Sequence, residues 1–286
     1  MQFKPQKAKT LGKDKIQLQA TDEWLVSTKY DGHQVFVVKH NGTVKCFTSG
    51  WKQFSHSLIE QQALELPGDF VLIGEFLYDC RGVLGCREKS AILTTFRTNF
   101  NKGICNSIRD EQLSYIKVFD RLPIGNNTLI THIGAEDRIE RIQTTNNMYK
   151  VNFLKKSLKE AERLAKALYQ EGYEGLMCLH PDSYYHIGKR VHHAIKIKPR
   201  LTADLLCIDT LKGEGKYSEM IGSLMLQDSK GRIVYVGSGL TDLDRKHIPD
   251  FYKGQVIEIE YEKLADTYIQ PTFKCVRYDK QPDEID

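Results

Sequence analysis

No Cys-x-x-Cys pair occurs in the chain. Its seven cysteines stand singly, at positions 46, 80, 86, 105, 178, 207 and 275. An odd, scattered set argues against a disulfide framework or a cysteine zinc site and fits a reducing cytoplasm. No apolar run approaches the ~20 residues that a membrane-spanning helix needs. The first fifteen residues carry five lysines, Lys4, Lys7, Lys9, Lys13 and Lys15, with no apolar stretch behind them, so no secretory signal is expected. No repeat or low-complexity segment stands out. What remains is a 286-residue chain, 41% hydrophobic and 27% charged, an ordinary composition for a soluble globular protein.

The net charge of +4 is unevenly spread. Residues 201–286 hold 11 bases against 16 acids, a balance of −5, and residues 1–200 hold 30 against 21, a balance of +9. A basic larger part suits a phosphate-rich partner, although the same balance would serve solubility alone.

Hydrophobic patterning divides the chain near residue 200. Before it, Val35–Val38 and Val44–Phe47 flank His40-Asn41-Gly42-Thr43 and predict a hairpin, because Asn-Gly tolerates positive φ at both turn positions. Phe70–Ile73 and Tyr115–Phe119 read as strands, and Leu58–Leu66 as a helix. From Lys155 to Gln170, Leu158, Ala161, Leu164, Ala165 and Leu168 recur at helical spacing, with Gly172 as the stop. After Pro199 short strands dominate: 205–211, 223–227, 233–236, 257–261 and 272–278. About five short strands in roughly 85 residues suggest a small five-stranded oligonucleotide-binding barrel. The expected class is α+β, with domains at 1–200 and 201–286.

Lys29-Tyr30-Asp31-Gly32 opens the predicted hairpin. Four such common residues in a row are a weak signal, equally readable as a surface turn. Further elements follow in a fixed order: Gly74-Glu75-Phe76 at a strand end, Val118-Phe119-Asp120 at another, Glu174-Gly175-Leu176-Met177, Lys196-Ile197-Lys198-Pro199, and Val276-Arg277-Tyr278-Asp279-Lys280. This series resembles the covalent nucleotidyltransferases, which comprise DNA ligases, RNA ligases and mRNA capping enzymes. The stretches Trp24–Lys29, Pro181–Arg190, Lys212–Tyr217 and Val236–Asp242 resemble compact ATP-dependent DNA ligases in particular. The resemblance covers about residues 22–280.

That resemblance implies a nucleotidyltransferase (ATP-grasp-like) domain of antiparallel sheets and helices, followed by an oligonucleotide-binding barrel. It implies sealing of 3′-hydroxyl/5′-phosphate nicks in duplex DNA, with ATP and Mg²⁺ (or Mn²⁺), in replication or repair. It further implies a cytoplasmic monomer that encircles DNA as a clamp. Lys29 is implied as the nucleophile that takes AMP. An amine attacks only when neutral, and the neighbouring cations expected here, Lys196, Lys198 and the metal ion, favour that form. Residues two apart on a strand face the same way, as a phosphate clamp by Lys196 and Lys198 requires. Glu174 is implied as the metal carboxylate, and Asp31 is placed near the metal or the nick. Glu75 is implied at the ribose, Phe119 stacked on adenine, and Arg277, Asp279 and Lys280 on the departing pyrophosphate.

Three positions depart from the family's pattern. Gln34 stands where arginine is usual, Leu179 stands where a basic residue is common, and in Thr48-Ser49-Gly50-Trp51-Lys52 only Lys52 supplies the expected charge. The alternatives are an RNA ligase or capping-type nucleotidyltransferase, and a non-catalytic oligonucleotide-binding protein. The barrel's ligase-like stretches argue against the first, and the intact series of lysines and acids argues against the second.

Overall fold

The computed structural model describes residues 3–12, 14, 23–78, 108–170 and 173–286. They form two compact units, Met1–Lys198 and Pro199–Asp286. Cys80, Cys86, Cys105, Lys13, Lys15 and Gly172 lie outside the described residues.

In chain order the first unit comprises β1 (Lys7–Thr10), β2 (Trp24–Thr28), β3 (His33–His40), β4 (Thr43–Thr48), β5 (Gln53–Phe54), α1 (Ser57–Glu65), β6 (Phe70–Tyr78), α2 (Ile108–Leu113), β7 (Ser114–Gly125), β8 (Thr128–Leu129), α3 (Ala135–Glu140), β9 (Met148–Lys150), β10 (Leu154–Lys156), α4 (Leu158–Gln170), β11 (Leu176–Leu179) and β12 (Arg190–Ile197). One sheet runs β1-β12-β11-β2-β10, and another runs β5-β4-β3-β6-β7-β8 with β9 beside β7. Their pairings are antiparallel except β1–β12 and β7–β9. The second unit contains β13 (Leu201–Lys212), β14 (Ile221–Gln227), β15 (Ile233–Val236), α5 (Asp242–Arg245), β16 (Val256–Tyr261), β17 (Lys263–Leu264), β18 (Tyr268–Ile269) and β19 (Thr272–Val276). Its five-stranded sheet, β15-β14-β13-β16-β19, has the number of strands expected for the barrel.

The Asn-Gly hairpin forms as expected. His40 pairs with Thr43, and Asn41 and Gly42 take φ of 48° and 72°. Several boundaries differ from expectation. Helix α4 begins at Leu158, not Lys155. The Ser157 Oγ accepts from the Glu160 N–H at 3.3 Å, and Glu160 Oε2 accepts from the Ser157 N–H at 2.9 Å, a reciprocal cap that starts the helix there. The preceding Leu154–Lys156 pairs instead with β2. The Gly74-Glu75-Phe76 and Val118-Phe119-Asp120 triplets lie inside β6 and β7 rather than at their ends. Phe76 and Leu77 extend the apolar run of β6, and Gly74 admits the neighbouring strand: a Cβ there would fall 2.7 Å from the Lys117 carbonyl oxygen. Strand β19 stops at Val276, because the chain turns there, with Lys280 N–H donating to the Arg277 carbonyl at 3.2 Å.

Alternation along the strands builds the cores. Trp24 and Val26 of β2, with Leu176, Cys178, Ile195 and Ile197, pack on Ala161 and Ala165 of α4. The opposite face of that sheet carries Leu25, Leu179 and Ala194, which cross-strand register puts in one row. They join the cluster of Val35, Val37, Phe70, Leu72, Ile116 and Val118. A charged pair, Arg138 and Asp120, is buried beside this apolar frame. The Arg138 guanidinium, 0% exposed, donates to Asp120 Oδ1 at 2.8 Å and Oδ2 at 3.0 Å, and to the carbonyls of Ile133 (2.5 Å) and Ser183 (2.7 Å). Replacing Arg138 with Met leaves the Asp120 carboxylate buried and unpaired. The expected cost is about 3–5 kcal/mol of stability, read from denaturant unfolding. A loss below about 1 kcal/mol would contradict this account.

Candidate active site

Register places the reactive side chains. In the sheet carrying β2, β11 and β12, Ser27, Met177 and Lys196 form one cross-strand row on the face of Leu25, Leu179 and Ala194. The next row on that face, one pleat further, falls at Lys29, Gly175 and Lys198. The Lys29 N–H donates to the Gly175 carbonyl at 2.9 Å. Gly175, at φ 141°, lies so close to Ile197 that a Cβ would collide with its carbonyl oxygen. This close approach delivers Glu174 to both lysines. Lys29 Nζ bonds Glu174 Oε2, and Lys198 Nζ lies 2.5 Å from Glu174 Oε1. All three side chains are about one-fifth exposed. Burial pushes the Glu174 carboxyl up, but the two ammonium groups outweigh it and hold it below the usual carboxylate range.

Gly32 explains the fourth residue of Lys-x-Asp-Gly. A Cβ there would meet the Phe76 carbonyl oxygen at 2.5 Å and Glu75 Cγ at 2.8 Å. With only a hydrogen, the loop lies on β6, and the Gly32 N–H donates to Glu75 Oε1 at 3.1 Å. Burial pushes the Glu75 carboxyl up to about 7. Lys29 and the Gly32 N–H oppose the shift, while Glu174 and Asp31 add to it. Glu75 therefore lies within electrostatic reach of the Lys29–Glu174–Lys198 group, as does exposed Asp31. Gln34 is the cross-strand neighbour of Glu75. Phe119, partly buried, packs in the cluster of Phe36 and Ile73, on the Glu75 face of that sheet.

Arg277, Asp279 and Lys280 belong to the second unit and form a group there. Arg277 forks onto Asp279, Nε to Oδ1 at 2.8 Å and Nη2 to Oδ2 at 2.7 Å. Its Nη1 donates to both oxygens of Asp204, at 3.2 and 3.0 Å, and to Glu258 at 3.3 Å. Lys280 Nζ lies 2.7 Å from Asp204 Oδ2. The fork from Arg277 holds the Asp279 carboxyl down at about 2.

Two neighbours of these groups escaped the sequence reading. Lys117 pairs across from Glu75, and its Nζ lies 5.0–5.9 Å from the ring centres of Tyr30, Tyr115 and Tyr149. Asp204 gathers two cations from 73 and 76 residues away. The tyrosine-rich setting of Lys117 was a visible signal. Nothing local marks Asp204, one of two acids in a largely apolar strand.

Among the described residues no cluster of three or more His, Cys, Asp or Glu side chains is arranged to hold a metal ion. Glu174 and Asp31 still offer hard oxygens beside a cationic site. One or two carboxylates completed by water and substrate phosphates is the usual magnesium arrangement, so the donor set fits that ion.

The Glu75 shift has a stability consequence. Its folded value, about 7, lies above the ordinary 4.5. The neutral carboxyl's contribution to stability is complete below about 4.5 and is lost as pH rises through about 7. Glu75→Gln should flatten the stability profile over that window. It should leave the variant more stable than the wild type at alkaline pH, by up to roughly 3 kcal/mol. Thermal melts from acid to alkaline pH check this, and parallel profiles would refute it.

Residues 5–198 match the family model of the ATP dependent DNA ligase domain, and residues 212–277 match that of the DNA ligase OB-like domain. A DNA ligase of Methanococcus aeolicus is 30% identical over 253 residues, covering 81% of this chain and 43% of that protein. A DNA ligase of Thermococcus onnurineus is 27% identical over 304 residues, covering 90% and 52%. The chain thus spans about half the length of the curated relatives it matches. Among solved structures, a Lig E DNA ligase described as binding DNA with a minimal scaffold superposes at a TM-score of 0.66, with 18% identity, over 97% of this chain and 100% of that one. A Chlorella virus DNA ligase-adenylate gives 0.50 at 18% identity, over 98% and 99%. At these identities the structural likeness is one of fold.

Proposed function

The chain belongs to the family of ATP-dependent DNA ligases, and we propose that it seals 3′-hydroxyl/5′-phosphate nicks in duplex DNA through a covalent adenylate on Lys29. The observation that carries this reading is the pair of lysines that follow two strands, Lys29 after β2 and Lys198 after β12, held on one carboxylate of Glu174. That arrangement presents an amine beside a second cation and a carboxylate, the components that phosphoryl transfer to nitrogen needs.

ATP acts here as a substrate consumed in the reaction. Lys29 Nζ attacks the α-phosphorus, forming a P–N bond and breaking the bond to the bridging oxygen, and pyrophosphate leaves. Attack needs the neutral amine, so Lys29 gives up a proton and its hold on Glu174 first. Lys196 and Lys198 neutralise the α-phosphate oxygens. Glu75 accepts from the ribose, Phe119 stacks on adenine, and Gln34 offers a neutral hydrogen bond where relatives carry charge. Glu174, with Asp31, would hold Mg²⁺ or Mn²⁺, which would supply charge neutralisation at the phosphates. Arg277, Asp279 and Lys280 orient the departing pyrophosphate. AMP then passes to the 5′-phosphate of the nick, and the 3′-hydroxyl displaces it.

The basic residues 1–200, including the lysines of the first strand, hold the DNA backbone, and the domains at 1–200 and 201–286 close around it as a monomeric clamp. Cytoplasmic action, in a bacterium or in a host cell, agrees with the free thiols of Cys46, Cys178, Cys207 and Cys275.

The test is mass spectrometry after incubation with ATP and Mg²⁺. The wild type should gain one AMP, and Lys29→Ala and Lys29→Arg none, since arginine keeps the charge but is never neutral at working pH. An adduct in either variant, or labelling from NAD⁺ and not ATP, overturns the assignment. Sealing of nicked RNA in preference to nicked DNA would favour the RNA-ligase reading.

A further inference from the structure

Asp204 lies in β13, where register pairs it with Glu258 of β16. Its N–H donates to Asp286 Oδ2 at 2.6 Å and its carbonyl accepts from the Asp286 N–H at 2.9 Å. The backbone is thus pinned from two sides. Its carboxylate, 9% exposed, receives Arg277 on both oxygens and Lys280 on Oδ2. The two cations above it keep 23% and 31% of their side chains open to solvent. The arrangement is a buried anion with two cations standing on it and facing outward.

The charges decide what such a group can do. Arg277 and Lys280 meet three carboxylates, Asp204, Glu258 and Asp279, so an incoming anion must displace one. Asp279 is 66% exposed and Asp204 is 9% exposed. The exposed partner is the one that can swing away, and the buried one stays. Asp204 then keeps the two ammonium and guanidinium groups a fixed distance apart after the exchange, which is the separation a polyphosphate would meet.

We propose that Asp204 is a positioning residue of the adenylylation step, holding Arg277 and Lys280 as a pre-formed cationic pair for the leaving pyrophosphate. The inference rests on the ligase reading above and deepens it. It assigns Asp204 no part in the chemistry on DNA, because a nick whose 5′ end already carries AMP has no pyrophosphate to release.

The experiment compares the wild type with Asp204→Asn in two assays, each at saturating substrate. One is formation of the protein–AMP adduct from ATP, and the other is sealing of a pre-adenylylated nick with Mg²⁺ and no ATP. Asp204→Asn should slow adduct formation about tenfold or more, with sealing unchanged and the melting temperature retained. Equal adduct formation in both proteins overturns the proposal, as does faster formation, which would make Asp204 a competitor for the cations. A parallel fall in both assays together with a lower melting temperature also overturns it, since the residue would then serve only the barrel. If Asp204→Asn does not fold, Asp204→Glu is measured. It keeps the charge but moves the cations outward by one methylene, and the same split between assays is expected; wild-type rates in both would refute the idea. A wild type that gains no AMP sinks the ligase reading itself and this inference with it, whereas a labelled wild type with an indistinguishable variant sinks this inference alone.

Discussion

One carboxylate shared by two lysines organises the first unit. Glu174 reaches Lys29 and Lys198 only because Gly175 lets the loop lie against β12 without a side chain, and because the Lys29 N–H is hydrogen-bonded to that same glycine's carbonyl. Two like charges a few ångströms apart repel, and the anion between them removes that cost. Burial would favour a neutral carboxyl, yet the two cations keep Glu174 ionised. The two lysines therefore hold Glu174 in its charged form, and neither can be altered without disturbing it.

Glu75 shows the opposite outcome at the edge of the same group. It gains one backbone N–H and the distant attraction of Lys29, but two other acids face it, and burial then prevails. Two glutamates within one site are thus driven in opposite directions by the number of cations each touches. That contrast separates a residue suited to bind positive charge from one suited to exchange a hydrogen bond with a neutral hydroxyl.

Much of the architecture was legible in local pattern. The Asn-Gly turn located the first hairpin, and the spacing of Ala161, Leu164, Ala165 and Leu168 located α4. The start of α4 was misread because the Ser157–Glu160 cap outweighs the polar pattern before it. The lengths of β6 and β7 were misread because Glu75 and Asp120 look like strand ends, whereas each is a strand residue with a partner supplied from elsewhere. The ordered motif series pointed to Lys29, Glu174, Lys196 and Lys198. The structure brings Lys29, Glu174 and Lys198 into contact and sets Lys196 one row away on the same face. Arg138 and Asp204 were not readable, since each derives its significance from residues that only folding brings near.

Arg138 also bears on how the first unit comes apart. Its guanidinium ties β7, the Ile133 carbonyl before α3 and the Ser183 carbonyl after β11 to a single buried point. None of these segments can open alone without exposing or orphaning a charge. Opening around Ile133 or Ser183 is therefore coupled to loss of the Asp120 contact, and the amides around Asp120, Ile133 and Ser183 are expected to exchange as one cooperative unit. The strand that presents Phe119 is, in that sense, clamped by a charge on the residue next to it.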